Sequence, residues 1–170
     1  RRIRMPLLNS TPVSAGIKYA SDQLTMELSD HLLAKNLLTR DQIAVLNSKK
    51  AFTGESLDRL MIKEGLVQEL EVLQALSAVS NIPFLSLVEM AIKPEALSQL
   101  PARIALRYQI IPLKFENGTL TLAISQVPAA SMVDSIRMVV GCAIDWALCS
   151  QYDIGNSLKH FYGIGAESIS

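Results

Sequence analysis

The chain has 170 residues, 49% apolar and 19% charged, with 16 Lys and Arg set against 16 Asp and Glu. Such a composition supplies a core and excludes disorder, and its neutral balance gives no global argument for binding nucleic acid or coating an anionic membrane. No run of about twenty apolar residues occurs, so no segment is expected to span a bilayer, and no signal-peptide pattern is present.

In chain order, Arg1-Arg2-Ile3-Arg4 comes first, a local basic cluster that reads as a solvated tail or as a segment just cytoplasmic of a membrane helix. Pro6, Pro12, Gly16 and the small polar residues among them make residues 1–23 a linker or irregular arm. Leu24, Leu28 and Leu32, with Met26 and Leu33 as further candidates, mark one face of a helix. Asn36 suits the left-handed position that ends it. Thr39 with Gln42 is a capping box that starts the next helix, with Ile43, Leu46 and Val45 as its apolar side. The pattern then recurs. Leu57, Leu60 and Met61 form an apolar face, Gly65 stops it, and a helix from about Glu69 carries Val72, Leu73, Leu76 and Val79. Shifting the chain by 29 lays Leu28 on Leu57, Leu32 on Met61, Leu38 on Val67 and Asn36 on Gly65. Residues 24–81 therefore read as a duplicated αα-hairpin whose two copies bury each other's stripes.

After about residue 81, prolines punctuate shorter elements. Asn117-Gly118 is the preferred pair for a two-residue hairpin turn. It predicts Phe115 opposite Leu120, Leu113 opposite Leu122 and Ile111 opposite Ile124, with Glu116–Thr119 and Lys114–Thr121 between them. Ser131 with Asp134 is expected to cap a helix bearing Met132, Ile136 and Val139 that ends at Gly141. A strand with Ile144, Trp146 and Leu148 on one face follows. Ser150 with Asp153 caps a last helix carrying Ile154, Leu158 and Phe161. Residues 82–163 thus read as a small α/β unit with an antiparallel hairpin and helices on one face of the sheet, residues 164–170 as a tail, and the whole as α+β. Cys142 and Cys149, at an odd offset along one strand, would point to opposite faces and not bond to each other, in keeping with a reducing compartment. Trp146 reads as core, while Met26, Met61, Met132 and Met138 read as gap-fillers on helical faces.

Chemistry is sparse. No Gly-rich turn followed by Lys and Ser or Thr offers a phosphate-binding loop; Gly163-Ile164-Gly165 follows a helix and reads as tail. His31 and His160 lack partners at metal-ligand spacing, and no G-x-S-x-G elbow is present. Glu69 and Glu71 lie two apart on a helix and do not face each other. A free-standing hydrolase is the weakest reading, and no cofactor is implied.

The order of pieces resembles the N-terminal domain of the type II secretion and type IV pilus assembly ATPases. The residues that carry the likeness are Glu27-Leu28-Ser29, Leu32-Leu33, Asn36-Leu37-Leu38-Thr39 and Gln42-Ile43 in a first repeat ending at Lys50. Ser56-Leu57-Asp58, Leu60-Met61-Ile62, Gly65-Leu66-Val67 and Glu71-Val72 form a second ending at Val79. Leu100-Pro101, Ile111-Pro112-Leu113, residues 118–125 and Phe161-Tyr162-Gly163 follow in the family's order. The resemblance implies a non-catalytic docking and regulatory domain, cytoplasmic and peripheral to the bacterial inner membrane, whose partner is an inner-membrane protein of the machine. A similar module ends some membrane glycosyltransferases, and a regulatory appendage of that kind is the alternative.

In a subset of the family the repeats bind cyclic di-GMP, through an Arg at each repeat start, Gly residues that admit the backbone and a Gln at each repeat end. The positions corresponding to that motif here are Glu27, Ser29, Asn36, Lys50, Ser56, Asp58, Gly65 and Val79. An Arg fork pairs bidentately with phosphate or guanine edges; Glu27 has the wrong sign and Ser56 no charge. Each lost charged hydrogen bond costs roughly 1.5–3 kcal/mol. Cyclic di-GMP is therefore not expected to bind well, and a cyclic di-GMP-binding regulatory domain is the remaining alternative.

Overall fold

The computed structural model describes residues 16–163; the basic cluster at 1–4 and the tail 164–170 lie outside them. Four helices form the first part: α1 (Asp22–Ala34), α2 (Arg40–Thr53), α3 (Leu57–Lys63) and α4 (Glu69–Ser80). The duplication holds hydrogen bond by hydrogen bond. Lys35, Asn36 and Leu37 donate their backbone N–H groups to the carbonyls of His31, Leu33 and Leu32. At the shift of 29, Glu64, Gly65 and Leu66 donate to Leu60, Ile62 and Met61. Asn36 (φ 59°) and Gly65 (φ 74°) hold the same left-handed position. The capping box of Thr39 with Gln42 is formed at α2, and Gln68 occupies the equivalent place before α4 without a side-chain cap bond. Leu28 and Leu57, Leu32 and Met61, and Leu38 and Val67 are all buried. Contacts run α1 to α4 and α2 to α3, so each hairpin covers the other.

The second part holds α5 (Pro94–Gln99), α6 (Ala102–Tyr108), β1 (Ile111–Glu116), β2 (Thr119–Ile124), α7 (Ala130–Val140), β3 (Ala143–Leu148) and α8 (Gln151–Leu158), which ends in a π turn at Lys159–Gly163. The sheet order is β1-β2-β3, antiparallel then parallel. Asn117 (φ 53°) and Gly118 (φ 76°) make the hairpin turn with both central residues at positive φ, the type I′ geometry that matches strand twist.

The predicted register holds from Glu116–Thr119 to Phe115–Leu120 and Lys114–Thr121, then shifts, so that Pro112 pairs with Leu122 and Ile111 with Ala123. The expected pairs Leu113–Leu122 and Ile111–Ile124 do not form. Pro112 has no N–H for the ladder, and the irregularity beside it leaves the Leu113 carbonyl to accept from the Lys93 N–H (3.2 Å). Ile111, Pro112 and Leu113 are buried in succession, so this end of the sheet is covered on both faces rather than one.

Other expectations are corrected in the helices. α7 starts at Ala130 with Ala129 as N-cap, so Ser131 is inside the helix and caps nothing; its buried residues are Val133 and Ile136, while Val139 is exposed. Met26, Val45 and Met138 are exposed, and only Met61 of the four methionines is fully buried. In each case neighbouring apolar residues compete for one inward stripe, and periodicity leaves the helix free to rotate by one position. Phe161 is likewise partly exposed beyond α8. Trp146 is in the core, and its indole N–H has no partner among the described residues. Cys142 and Cys149 flank β3 as free thiols; burial, followed by the nearby Asp153 charge, pushes Cys149 up to about 12.

The arm before α1 ties the two parts together. Lys18 N–H donates to the Ser80 carbonyl (2.9 Å), Ala20 N–H to Pro128 (3.0 Å), and Ser21 Oγ caps α1 by accepting from Leu24 N–H (3.1 Å). Buried side chains form one continuous cluster from Ile17 to Leu158.

Candidate functional site

The eight motif positions are not gathered into one cleft. Ser56 and Asp58, at the start of α3, line a small cavity of about 80 Å3 together with Thr25 and Leu28 of α1, Leu76 of α4 and Val127. Glu27 and Ser29 sit on α1 outside that lining. Hydrogen bonds from the Gln23 amide and the Lys18 ammonium (both 3.1 Å) hold the Glu27 carboxyl below its ordinary range. Ser29 Oγ donates back to the Thr25 carbonyl (3.1 Å), so its hydroxyl proton is engaged within its own helix. Asn36 and Gly65 are in the two turns, Lys50 in the last turn of α2, and Val79 packs half-buried against the core.

Two shallow grooves follow the duplication. One, of about 400 Å3, is lined by Lys35, Leu37, Glu71, Gln74, Ala75 and Ala78, and by His31. The other, of about 250 Å3, is lined by the residues 29 positions away from the first six, Glu64, Leu66, Gln42, Val45, Leu46 and Lys49, and by Asp41. Their chemistry has diverged. Lys49 closes an ion pair with Glu64 (2.7 Å) across the second groove, where the first has Ala78 and Lys35.

A further pocket, of about 310 Å3, lies beyond the carboxyl end of β2 and takes residues from α3, α6 and α8. Arg59 reaches into it from α3, donating from Nη1 to Gln151 Oε1 (2.8 Å) and from Nη2 to Ser125 Oγ (3.0 Å). Glu69 of α4 accepts from the Gln151 backbone N–H (2.9 Å). Residue spacing does not reveal this group: Arg59 is 66 positions from Ser125 and 92 from Gln151, and only the tertiary fold brings them together.

The MshEN domain family matches residues 80–168. The type IV pilus assembly ATPase PilB of Myxococcus xanthus (strain DK1622) is 19% identical over 142 residues, covering 84% of this chain and 25% of that protein. Bacteriophage adsorption protein B of Escherichia coli (strain K12) is 23% identical over 135 residues, 79% of this chain and 18% of that protein. The chain thus spans a quarter or less of the length of these relatives. Among solved structures, MshE with cdg superposes with a TM-score of 0.72 at 18% identity, over 79% of this chain and 98% of that one. The N-terminal domain of XpsE gives 0.69 at 18% identity, over 86% of this chain and 100% of that domain. Both have the same fold as this chain.

Proposed function

This chain belongs to the MshEN domain family, and on that premise we propose that it is a non-catalytic docking domain of a type II secretion or type IV pilus ATPase. In this reading it binds an inner-membrane protein of the machine from the cytoplasmic side. The observation that carries the reading is the joint likeness: the chain superposes on the N-terminal domain of XpsE and aligns over 142 residues with the pilus ATPase PilB. No helix among the described residues is long and apolar enough to cross a membrane. Capture of an inner-membrane component of the machine by the purified domain is the expected result. Nucleotide hydrolysis by the domain alone, or failure to capture any such component, would overturn it.

Residues 24–81 and 82–163 are, in the same proposal, two packing units whose buried side chains meet in one continuous cluster. Arg59 and Glu69 tie them through Gln151. Limited proteolysis near residues 81–83 that releases two folded fragments supports the division; simultaneous loss of both units counts against it.

The likeness to MshE with cdg raises cyclic di-GMP as a ligand, and we propose that this chain binds it poorly. The cavity at Ser56 and Asp58, about 80 Å3, is well below the roughly 300–1,000 Å3 usual for ligand pockets. Neither repeat start supplies a cation, and Asp58 adds a negative charge facing the cavity. Titration calorimetry is expected to show binding at least about a hundredfold weaker than the intact motif would give. A micromolar or tighter constant would mean that other residues supply the site.

The match to bacteriophage adsorption protein B favours a second reading, a regulatory appendage of a membrane glycosyltransferase. The flanking gene sequence separates the two: a phosphate-binding loop downstream selects the motor, and membrane spans with a catalytic domain upstream select the appendage.

A further inference from the structure

The pocket beyond β2 has a chemistry that neither docking nor the repeat motif uses. β2 and β3 run parallel, and the crevice outside the carboxyl ends of parallel strands is where α/β sheets commonly take ligands. Here that crevice is lined by Ile124 and Ser125 from the end of β2, and by Gln151 and Ile154 from α8, the helix that follows β3. Two guanidinium groups border it, Arg59 and Arg107, and no Asp or Glu is among its lining residues. The ion pairs of the described residues include neither arginine.

Arg59 spends two of its five N–H donors on neutral oxygens, Gln151 Oε1 and Ser125 Oγ, which hold the fork in place and leave three donors. Ser125 is buried and, having accepted from Arg59, keeps its own O–H to donate. Arg107 lies over the Tyr108 ring, 5.3 Å from its centroid, which orients that guanidinium without neutralising it. Ile124 and Ile154 are buried apolar side chains beside these donors. Glu69 accepts the Gln151 backbone N–H (2.9 Å) next to the Arg59 contact and is not among the residues that line the pocket. A pocket of about 310 Å3 is at the small end of the range for metabolite-sized ligands.

We propose that this pocket binds a small phosphate ester, its phosphate between Arg59 and Arg107 and its apolar part against Ile124 and Ile154. Guanidinium forks match phosphate oxygens in geometry and charge, and a dianion answers two cations better than a monoanion does. The site is separate from the Ser56–Asp58 cavity, with Gln126 alone bordering both. It therefore stands or falls independently of the docking reading.

Phenyl phosphate is a suitable probe, with benzoate, phenol and inorganic phosphate as comparisons, titrated into the whole chain and followed by amide NMR shifts. The expected result is saturable shifts at Tyr108, Gln109 and Gln151 with millimolar or tighter affinity, phenol silent, and benzoate and inorganic phosphate weaker. Arg107 is exposed, so Arg107→Glu should leave the fold intact while weakening phenyl phosphate at least about tenfold, and Arg107→Lys should recover part of the loss. Added salt should weaken binding as well. No saturable shift up to about 10 mM, benzoate binding as tightly as phenyl phosphate, or unchanged affinity in folded Arg107→Glu would each overturn the assignment.

Discussion

The first hairpin, α1–α2, and the second, α3–α4, repeat the same backbone bonds at a shift of 29, yet they are secured in different ways. The first is capped by its own side chains, Ser21 at α1 and the Thr39–Gln42 box at α2. In the second, neither Ser56 nor Gln68 makes a side-chain cap bond; it is anchored to the α/β unit through Arg59 and Glu69 instead. Burial follows the same division. α4 buries Val72, Leu73, Ala75, Leu76 and Ser80, whereas α2 buries Leu46 alone and leaves Val45 and Phe52 (94% exposed) to solvent. Duplication has kept the frame, meaning the turns and the stripe between the copies. The surroundings have decided what each copy shows to the outside.

The sharpest way to break this comparison is at the single buried residue of α2. Leu46→Ala installs the residue that the second copy has at the equivalent place, Ala75. Because α2 has no other buried side chain to hold it, the expected loss is about 2–5 kcal/mol, read by urea unfolding. A loss under about 1 kcal/mol would mean that α2 is held by something other than this contact.

The anchoring of the second copy predicts the next effect. Arg59→Ala removes two hydrogen bonds from a guanidinium, one of them to the buried Ser125 hydroxyl. It should cost about 1–3 kcal/mol and raise hydrogen exchange at the start of α8. The equivalent residue of the first copy, Asp30, is exposed, and Asp30→Ala should stay within about 0.5 kcal/mol of wild type. Equal effects at the two positions would contradict the asymmetry.

The turns test what the copies share. Nothing lies within 4 Å of a Cβ built at Gly65, and its φ is +74°, so Gly65→Ala should cost about 1–2 kcal/mol from backbone strain alone. Asn36 already tolerates that region, and Asn36→Gly should change stability by only a few tenths of a kcal/mol. Matching losses in thermal melts of both variants would show that the turns are not equivalent.

Much of this frame is legible in the sequence because it is local. The capping box, the left-handed Asn36 and Gly65, the Asn117-Gly118 turn and the Ser150 cap each need only a few adjacent residues. The errors arise where a choice depends on what is packed alongside. Pro112 moved the register of β1 because a proline cannot serve the ladder, which pairing outward from the turn does not consider. α7 turned Val133 inward rather than Val139, and Met26 and Val45 outward, because several apolar residues per turn leave the inward stripe undetermined. The motif positions were legible as departures from a pattern, but their scatter over separate surfaces was not. The Arg59–Ser125–Gln151 group joins residues from α3, the end of β2 and α8, and no short-range signal marks it.

The smallest effect comes from transplanting the first copy's cap into the second. Gln68 is the N-cap of α4, with the extended backbone (φ −74°, ψ 150°) that a capping residue needs, but its side chain makes no cap bond. Three residues on stands Glu71, at the position that Gln42 occupies in the box of α2. Gln68→Thr therefore completes the sequence of a capping box: the Thr hydroxyl can accept from the Glu71 N–H, and the Glu71 carboxylate can accept from the N–H of residue 68. Both bonds satisfy donors that a helix start leaves open, and the acid lies at the positive end of the helix. The expected gain is about 0.5–1 kcal/mol, seen as a higher urea midpoint with an unchanged slope. The double variant Gln68→Thr, Glu71→Ala should lose the part that depends on reciprocity. If Gln68→Thr is neutral or destabilising, the second copy lacks a side-chain cap because its packing forbids one, and the two copies differ in backbone as well as in surroundings.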